Sequence, residues 1–394
     1  MKKYDSYLSI EKRLNDLHAE ERYRFLRCVE TAQDTQIVLD GQKVLLFCSN
    51  NYLGLANHPS LKNAAAAAAD KYGCGSGASR LISGNMHLHE ELEGRLADFK
   101  KYPACMLFNS GYAANVGILS SLMGKEDVIF SDALNHASII DGCRLSRAEV
   151  KIYRHRDMDH LDTLLKEAGG YRKRLIVTDA LFSMDGDLAP LLELASLADR
   201  YGCLLMVDEA HAIGVMGEGG RGLAEYYGVE KAVDISVGTL GKAFGSFGAF
   251  AVCSQVIREF LLNHARSLIY STSLPPPVLA AALKAVEIIR KEPERRQQLR
   301  ENAQLLAQGL NTLGYSSTDP VTPVQAALIG DDKRTMALSE QLLLNGVYVQ
   351  GIRPPTVPIK TARLRFSLMA THTPQDISVA LEALSTALKH QNML

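Results

Sequence analysis

The sequence predicts an α/β fold in which helices cover a mostly parallel sheet and a smaller α+β unit follows. Between about residues 60 and 275, helical stretches such as LHEELEGRLADFKKY alternate with short apolar runs. Apolar strands separated by helices are typical of a parallel sheet that is buried on both faces. After the prolines of SLPPPV, which interrupt regular structure, a long charged helical stretch precedes further strand-like pieces. We therefore expect a large domain followed by a small one.

The chain of 394 residues divides into three predicted parts. Residues 1–59 form an N-terminal helix and arm, because a charged amphipathic stretch is followed by a turn at Asp40-Gly41 and a loop that ends at Pro59. Residues 60–277 form the large domain. Residues 278–394 form the small C-terminal domain.

Short apolar runs mark the predicted strands in chain order. In the large domain they are ACMLFNSG, DVIFSDA, EVKIYRH, RLIVTDALF, CLLMVDEAH and DISVGTLG. In the C-terminal part they are VQAALIG, GVYVQGI and ARLRFSL, and a final helix follows them. The alanine run of residues 64–69 favours a helix between the arm and the first of these strands.

Composition and charge narrow the classes of function. The chain is 47% hydrophobic and 22% charged, as in ordinary globular proteins, and its formal net charge is -1. This balance predicts neither a nucleic-acid partner nor a membrane-surface partner. No apolar run is long enough for a transmembrane helix, and MKKYDSYLSIEKRLNDL lacks the apolar centre of a secretory signal. The dispersed cysteines, without a CxxC pair or a metal-binding spacing, fit reduced thiols in the cytoplasm.

Several polar side chains stand where predicted strands end. Asp208 closes the run CLLMVD and His211 follows it, while His136 follows VIFSDALN and Ser183 follows LIVTDALF. In open α/β sheets, ligands bind at the carboxyl ends of the strands. Each residue also has an ordinary structural explanation, as a helix-capping aspartate, a loop histidine or a turn serine. None of them indicates a site by itself.

A lysine and a helix start add to these polar residues. Lys242 stands among small residues in TLGKAFGSFGAF, directly after a predicted strand, and Gly111 in NSGYAAN opens a predicted helix with free backbone N–H groups. Pyridoxal phosphate needs a lysine amine for its aldehyde, a carboxylate for its pyridine nitrogen, and N–H or hydroxyl donors for its phosphate. The combination therefore predicts a pyridoxal-phosphate site, in which the small neighbours of the lysine leave room for the ring.

Four motifs resemble those of the α-oxoamine synthases, namely DEAHAIGVMGEGGRG, VGTLGKAFGSFGAF, FSMDGD and SDALNHASIID. The resemblance runs from SNNYLGLANHP to RLRFSLMATHT and so covers most of the chain. It implies a fold-type I pyridoxal-phosphate transferase, similar to aspartate aminotransferase. It also implies an obligate homodimer with shared active sites, and an enzyme that condenses an amino acid with an acyl thioester and releases carbon dioxide.

The resemblance implies roles at matching positions. Lys242 matches the Schiff-base lysine, Asp208 the partner of the pyridinium, and His211 the residue near the ring hydroxyl. His136 matches the histidine stacked on the ring, and these four residues form the implied catalytic set. The other implied cofactor contacts, the last two of them reaching the partner subunit's phosphate, are Gly111, Tyr112, Ser183, Thr239, Ser271 and Thr272.

A set of substrate-binding positions is implied in the same way. Arg365, in TARLRFSL, matches the arginine that binds the amino-acid carboxylate, a group that suits a planar, two-pronged cation. His136 is expected to contact the substrate as well as the cofactor. The remaining implied positions are Asn50, Arg353, Thr356 and Arg24, with Arg27 as the alternative to Arg24.

The stretch GIRPPTVPIKTARLRFSLMATHT separates members of the family. An arginine followed by two prolines and TVP resembles the members that join L-alanine to a pimeloyl thioester on the route to biotin. Arg353 would then bind the acid or ester end of the pimeloyl chain, unless it is a plain loop charge. The alternative is a member that joins glycine to acetyl-CoA, because SDALNHASIIDG resembles that group at least as closely. Whether the acyl group arrives on CoA or on acyl carrier protein stays open.

Two other classes of function compete with this hypothesis. An aminotransferase would use the same lysine and aspartate but release neither carbon dioxide nor a thiol. A regulatory or scaffold subunit would need no catalysis, but the intact set of Lys242, Asp208 and His211 argues against it.

Overall fold

The computed structural model describes residues 3–20, 22–316 and 319–391. The strands within these ranges are β1 (Gln36–Leu39), β2 (Gln42–Leu46), β3 (Ala104–Phe108), β4 (Val128–Asp132), β5 (Glu149–Tyr153), β6 (Arg174–Asp179), β7 (Leu204–Asp208), β8 (Ile235–Thr239), β9 (Ala249–Cys253), β10 (Val324–Gly330), β11 (Val347–Tyr348), β12 (Gln350–Ile352) and β13 (Ala362–Ser367).

The helices are α1 (Lys3–Ala19), α2 (Pro59–Tyr72), α3 (His87–Lys100), α4 (Gly111–Leu122), α5 (Ala137–Ser146), α6 (Met158–Glu167), α7 (Leu191–Tyr201), α8 (Leu223–Tyr226), α9 (Gln255–His264), α10 (Arg266–Ile269), α11 (Pro276–Lys291), α12 (Glu294–Thr312), α13 (Asp332–Leu344) and α14 (Pro374–His390). Within the described ranges, no helix combines the length and the apolar character needed to span a bilayer.

A seven-stranded sheet with the order β3-β9-β8-β7-β6-β4-β5 forms the centre of the described chain. The pairs from β8 through β7, β6 and β4 to β5 are parallel, and β9 runs antiparallel to both β3 and β8. The prediction of a mostly parallel sheet is therefore confirmed, and each of the six apolar runs of the large domain forms a strand. Strand β9 was not predicted, because its residues directly follow the glycine-rich segment around Lys242.

Alternate residues of each central strand enter different apolar clusters. Leu205 and Val207 pack on one face of β7 with α3, α7 and α11, whereas Met206 packs on the other face with α4, α5 and α9. A side-chain period of two places successive residues on opposite faces of a sheet. Both faces are therefore dry, which explains why these strands are apolar throughout rather than alternating.

Parallel strands bring their carboxyl ends to one edge of the sheet. Asp132, Asp179, Asp208 and Thr239 are the last residues of β4, β6, β7 and β8. Asp179 and Asp208 lie directly opposite each other in the register of β6 and β7. The polar residues at these strand ends therefore lie along one edge of the sheet.

Two small sheets lie outside the central one. The first has the order β10-β13-β12, and the second pairs β1 and β2 of the arm with β11 of the C-terminal part. In the second sheet Leu45 pairs with Val347, so the arm is tied to residues far away in the sequence. The division at 59/60 and 277/278 remains a prediction, although α2 and α11 begin at Pro59 and Pro276, close to those boundaries.

Candidate active site

Lys242 lies in a tight loop between β8 and β9. Leu240 N–H donates to the Gly248 carbonyl at 2.9 Å, and Gly245 N–H donates to the Lys242 carbonyl at 2.9 Å. Gly245 has φ +61°, and a Cβ there would lie 2.4 Å from the backbone of residues 55 and 56. Close packing of two backbones therefore explains this glycine. A Cβ at Gly241 would instead lie 3.7 Å from Thr239 Oγ1 and 3.8 Å from the Ser246 carbonyl oxygen, which is ordinary van der Waals contact.

The amine of Lys242 points inward and meets a histidine. Its Nζ lies 2.6 Å from His211 Nε2, and the other ring nitrogen of His211 lies 2.6 Å from the Tyr52 hydroxyl. Burial lowers the pKa of Lys242 to about 8, against the opposing charges of Asp208 and Asp179. Burial, together with the Lys242 charge, holds the pKa of His211 well below its ordinary value. The imidazole of His211 is therefore neutral near pH 7.

Asp208 is held by a side chain from α4 and by a backbone N–H group of the loop that follows β7. Asn115 Nδ2, on α4, donates to Asp208 Oδ2 at 2.6 Å and also to Ser138 Oγ at 2.9 Å. Ala210 N–H donates to Asp208 Oδ1 at 2.9 Å. Because both carboxylate oxygens accept a hydrogen bond and the side chain is only 5% exposed, its orientation is locked.

His136 caps the start of α5 beside the same edge. Its backbone N–H donates to Asp179 Oδ2 at 2.6 Å, and its Nδ1 lies 2.7 Å from Ser138 Oγ. Burial, followed by the charge of Asp208, raises the pKa of Asp179 well above its ordinary value. His136 is exposed and lines a cavity, so a ligand can reach its side chain.

The start of α4 forms an anion site. Ser110 Oγ accepts from Ala113 N–H at 3.1 Å, but the backbone N–H groups of Gly111 and Tyr112 have no partner in the described part of the chain. Two free donors at the positive end of a helix suit a phosphate. Nothing lies within 4 Å of where a Cβ of Gly111 would stand, so a ligand can approach the backbone.

Other predicted phosphate contacts are placed around this helix start. Thr239 Oγ1 donates to the Gly248 carbonyl at 3.1 Å and accepts from Gly241 N–H at 3.2 Å. Asn109 Nδ2 donates to the Thr272 carbonyl at 2.7 Å, which brings the segment of Ser271 and Thr272 beside the end of β3. Ser271 is half-buried and Thr272 is exposed.

Arg365 reaches the site from β13 of the small sheet. Its Nε donates to the Ser183 carbonyl, its Nη1 to Ser367 Oγ at 2.7 Å, and its Nη2 to Asn50 Oδ1 at 3.2 Å. Asn50 Oδ1 also accepts from the Tyr52 hydroxyl at 3.2 Å. Hydrogen bonds therefore connect the predicted carboxylate-binding arginine with the His211–Lys242 pair.

Two cavities adjoin this network. One of about 580 Å³ is lined by His136, Ser183 and Thr356, and one of about 520 Å³ is lined by Arg24, Arg353 and Thr356. Thr356 lines both, so the predicted substrate positions fall into two neighbouring spaces.

Arg24 and Arg27 differ in their partners. Arg24 Nη2 lies 3.5 Å from Thr356 Oγ1. Arg27 is instead paired with Glu340 at 2.6 Å and with Asp40 at 3.6 Å. Because the guanidinium of Arg27 already has two carboxylate partners, the geometry favours Arg24 as the substrate-binding arginine.

Several residues of this network were missed by the sequence analysis. They are Tyr52, Asn115, Ser138 and Asp179. Asn115 and Ser138 stand inside the motifs NSGYAAN and DALNHAS. The sequence does not indicate what an amide or a hydroxyl in a helix will contact, so these two residues were not predicted. Tyr52 is fully buried, and only the folded chain shows that its hydroxyl faces His211.

Pyridoxal phosphate fits the residues that are present. An inward-pointing amine, a carboxylate locked by two donors, and two unpartnered N–H groups at a helix start supply the three groups that the cofactor needs. The open space beside Gly111 lets the phosphate of the cofactor approach the start of α4.

Comparisons with known proteins agree with this geometry. The family model for aminotransferase class I and II matches residues 42–384. An 8-amino-7-oxononanoate synthase from Geobacter sulfurreducens is 52% identical over 379 residues, which cover 96% of this chain and 97% of that protein.

Solved structures give the same relationship. A variant serine palmitoyltransferase from S. paucimobilis, with PLP and myriocin bound, superposes with a TM-score of 0.94 at 32% identity and covers 100% of both chains. An 8-amino-7-oxononanoate synthase from Francisella tularensis superposes with a TM-score of 0.77 at 33% identity, covering 89% of this chain and 99% of that one. The chain therefore belongs to the aminotransferase class I and II family and, within it, to the fold-type I α-oxoamine synthases that use pyridoxal phosphate.

Proposed function

We propose that this protein is an 8-amino-7-oxononanoate synthase, a pyridoxal-phosphate-dependent acyltransferase of biotin biosynthesis. It condenses L-alanine with a pimeloyl thioester and releases carbon dioxide and the free thiol. Relatives of that name are 52% identical over nearly the whole chain. The observation that carries the chemistry is the Lys242 amine, 2.6 Å from a neutral His211 and facing the charges of Asp208 and Arg365.

The cofactor would be held by residues from several strand ends. Lys242 would form the Schiff base, Asp208 would pair with the ring nitrogen, and His211 would contact the ring hydroxyl. His136 would stack on the ring. The phosphate would take the backbone N–H groups of Gly111 and Tyr112 at the start of α4 and a contact from Thr239, and Ser271 and Thr272 would reach the phosphate of the partner subunit. Ser183 would contact the cofactor through its hydroxyl. When bound, the cofactor supplies an electron sink for negative charge at the amino-acid Cα.

Arg365 would bind the amino-acid carboxylate. The residue is 6% exposed, and its guanidinium already donates to the Ser183 carbonyl and to Ser367 Oγ. Only Nη2, which donates to Asn50 at the long distance of 3.2 Å, is weakly engaged. A carboxylate that accepts from Nη2 and from the Asn50 amide would replace this bond, so the arginine needs little rearrangement to bind substrate.

Lys242 would also move the Cα proton. Its pKa of about 8 leaves about a tenth of the amine neutral at pH 7, and a base whose pKa lies near the working pH is the most effective. His211 Nε2 lies within hydrogen-bond distance and orients this amine. His136, on the cavity wall, would position the thioester carbonyl.

The acyl donor would occupy the two neighbouring cavities. Arg24 and Arg353 line the cleft of about 520 Å³ and would bind the acid or ester end of the pimeloyl chain, with Thr356 between that cleft and the reaction site. An aliphatic chain with an anionic end suits an open cleft with guanidinium groups. Both CoA and acyl carrier protein are compatible carriers.

A paired assay on the purified protein tests the function. We expect one thiol and one carbon dioxide per turnover with L-alanine and pimeloyl-CoA, and at least tenfold less with glycine and acetyl-CoA, because one missing methyl group is worth about tenfold or more in a fitted pocket. The opposite preference would make the protein a glycine C-acetyltransferase. Transamination without thiol release would exclude both.

We also propose that the protein is a cytoplasmic homodimer. Ile82, Phe247 and Tyr270 are 80%, 54% and 72% exposed, and they stand on segments that adjoin through the Ser79–Thr272 bridge and the Gly248–Leu274 contact. Clustered large apolar side chains on a surface are typical of an interface. Sedimentation equilibrium at micromolar concentration should give twice the chain mass, and a monomer with full activity would contradict the dimer.

Tyr52→Phe tests the link between Arg365 and Lys242. The change removes the hydroxyl that lies between Asn50 and His211 and leaves His211 Nδ1 without its partner. We expect kcat/KM to fall about tenfold or more, as for other residues that orient a catalytic group, and the free energy of unfolding to fall by about 1 kcal/mol.

The matched control is Tyr102→Phe. Its buried hydroxyl contacts the carbonyls of Glu230 and Val233 at 3.0 Å each, away from the site. It should lose comparable stability in urea unfolding and keep the wild-type kcat/KM. Equal kinetics in the two variants would exclude the orienting role of Tyr52.

A further inference from the structure

The ring of His155, in the loop after β5, lies between two carboxylates. His155 Nδ1 is 2.8 Å from Asp132 Oδ1, and His155 Nε2 is 2.8 Å from Asp187 Oδ2. A neutral imidazole has one N–H donor and one lone pair. It would therefore direct its lone pair at one of the two carboxylates, and only the protonated ring makes both hydrogen bonds.

Both carboxylates are buried, so this bridge is well shielded from water. The side chains of Asp132 and Asp187 are 2% and 5% exposed, and that of His155 is 23% exposed. Phe182 packs edge-on against the ring, with centroids 4.4 Å apart. Burial opposes protonation, but the hydrogen bonds and charges of the two aspartates outweigh it and raise the pKa of His155 to about 9.

Other charged groups around the ring come from several elements. Arg156, next to His155 in its own loop, contacts Asp187 at 3.2 Å, and Arg363 on β13 pairs with Asp185 of the same turn as Asp187. Asp319, before β10, adds a further negative charge near Asp187 and Arg156. The cluster of Asp132, Asp185, Asp187, Asp319, His155, Arg156 and Arg363 holds four acidic and two permanently basic side chains. A protonated His155 thus brings the cluster closer to neutrality.

The two bridged carboxylates belong to segments that supply site residues. Asp132 accepts from Leu134 N–H at 2.8 Å and so shapes the loop that ends at His136. Asp187 closes the FSMDGD turn, where its carbonyl accepts from Phe182 N–H at 3.0 Å. The Ser183 carbonyl of this turn accepts from Arg365 Nε. The loop of His136 and the turn of Ser183 are therefore joined through one imidazole.

We propose that His155 is a positioning residue, whose doubly donating ring sets the spacing between the His136 loop and the Ser183 turn and thereby orients Arg365. Residues of both segments, among them His136 and Ser183, line the cavity of about 580 Å³. The inference rests on the proposed function for the role of Arg365. The bridge itself is a property of the folded chain and can be measured without substrate.

The first measurement is the titration of His155 in the full-length protein. Protein carrying [13Cε1]histidine is followed by NMR, and the His155→Gln variant identifies the signal. We expect the ring to remain protonated at pH 8 and to titrate near 9, against an ordinary value of 6.5. A midpoint near 6.5 would overturn the proposal, whatever the activity of the protein.

The bridge also predicts a pH dependence of stability. Because the folded pKa lies above the unfolded one, the contribution of His155 is fully present below about pH 6.5 and is lost as the pH rises through about 9. Urea unfolding of the wild type should show this loss between those values. In Asp187→Asn the amide oxygen can accept from the protonated ring, and the amide N–H can donate to the neutral ring. The loss of stability with rising pH should therefore be smaller in this variant, and a loss equal to that of the wild type would contradict the bridge.

Kinetics separates positioning from a purely structural role. His155→Gln should raise the KM for the amino acid about tenfold, as for other groups that orient a binding residue. Asp187→Asn should raise this KM by less. His264→Gln, an exposed histidine on α9, is the matched control with wild-type kinetics. An unchanged KM in folded His155→Gln would refute the role. If His155→Gln does not fold, a wild-type pH profile of KM in Asp187→Asn would refute it.

Discussion

Replacing Lys242 by alanine should lower turnover by on the order of 10⁴-fold, because one side chain supplies both the covalent link and the general base. Thiol release with L-alanine and pimeloyl-CoA measures the loss. The chain should still fold, since the variant removes a long side chain whose burial disfavours its charge. The visible absorption that borohydride abolishes in the wild type should be absent from this variant.

Lys100→Ala is the matched control for this prediction. Lys100 is 2% exposed, donates to the Arg221 carbonyl, and lies 3.8 Å from Glu209. Its loss leaves a buried carboxylate without its cation, so stability should fall while turnover per folded molecule persists. Wild-type turnover in Lys242→Ala would make the proposed chemistry wrong.

Asp208→Asn should lower kcat by about 10²–10³-fold, the range for loss of one preorganised electrostatic group. The change removes the negative charge that the proposal places against the cofactor's ring nitrogen and alters no volume. Asn115 Oδ1 has no partner within the described residues, so rotation of its amide lets it accept from the introduced amide. The fold should therefore tolerate the change, and thermal unfolding checks this directly.

Asp179→Asn provides the comparison that isolates charge. Asp179 lies opposite Asp208 in the sheet register, and burial and the charge of Asp208 raise its pKa well above the ordinary value. Burial disfavours the charged form of its carboxyl, so the neutral amide is a close substitute for it. We expect a loss of kcat of about tenfold or less, consistent with a displaced His136 loop. Equal losses in both variants would exclude charge as the cause.

Much of the large domain could be predicted because its signals are local. Each apolar run of the central sheet forms a strand. Asp208 ends β7 and Ser183 follows β6 as expected, since strand burial and strand ends depend on neighbouring residues. The missed strand β9 follows a glycine-rich segment in which the backbone of Gly245 packs against residues 55 and 56. That contact is invisible in the segment itself.

The roles of single residues were predicted in a different way. The chemistry of pyridoxal phosphate was the reason for choosing Asp208, His211 and Lys242 as candidates. Their individual roles, and those of Arg365 and Thr356, were assigned from the family motifs. The structure places Arg365 next to Asn50 and Ser183 and places Thr356 between two cavities. The kinetic assays test the roles themselves.

The sequence alone determined the α/β class, the strand ends that carry the polar residues, the cofactor and the family. Periodicity and motif order are visible in short stretches of the sequence, so they can be recognised without a structure. The tertiary structure alone decided that Tyr52 meets His211, that Asn115 locks Asp208, and that His155 bridges two acidic segments. These contacts join residues far apart in the chain, and their geometry depends on how strands pair and helices pack around them.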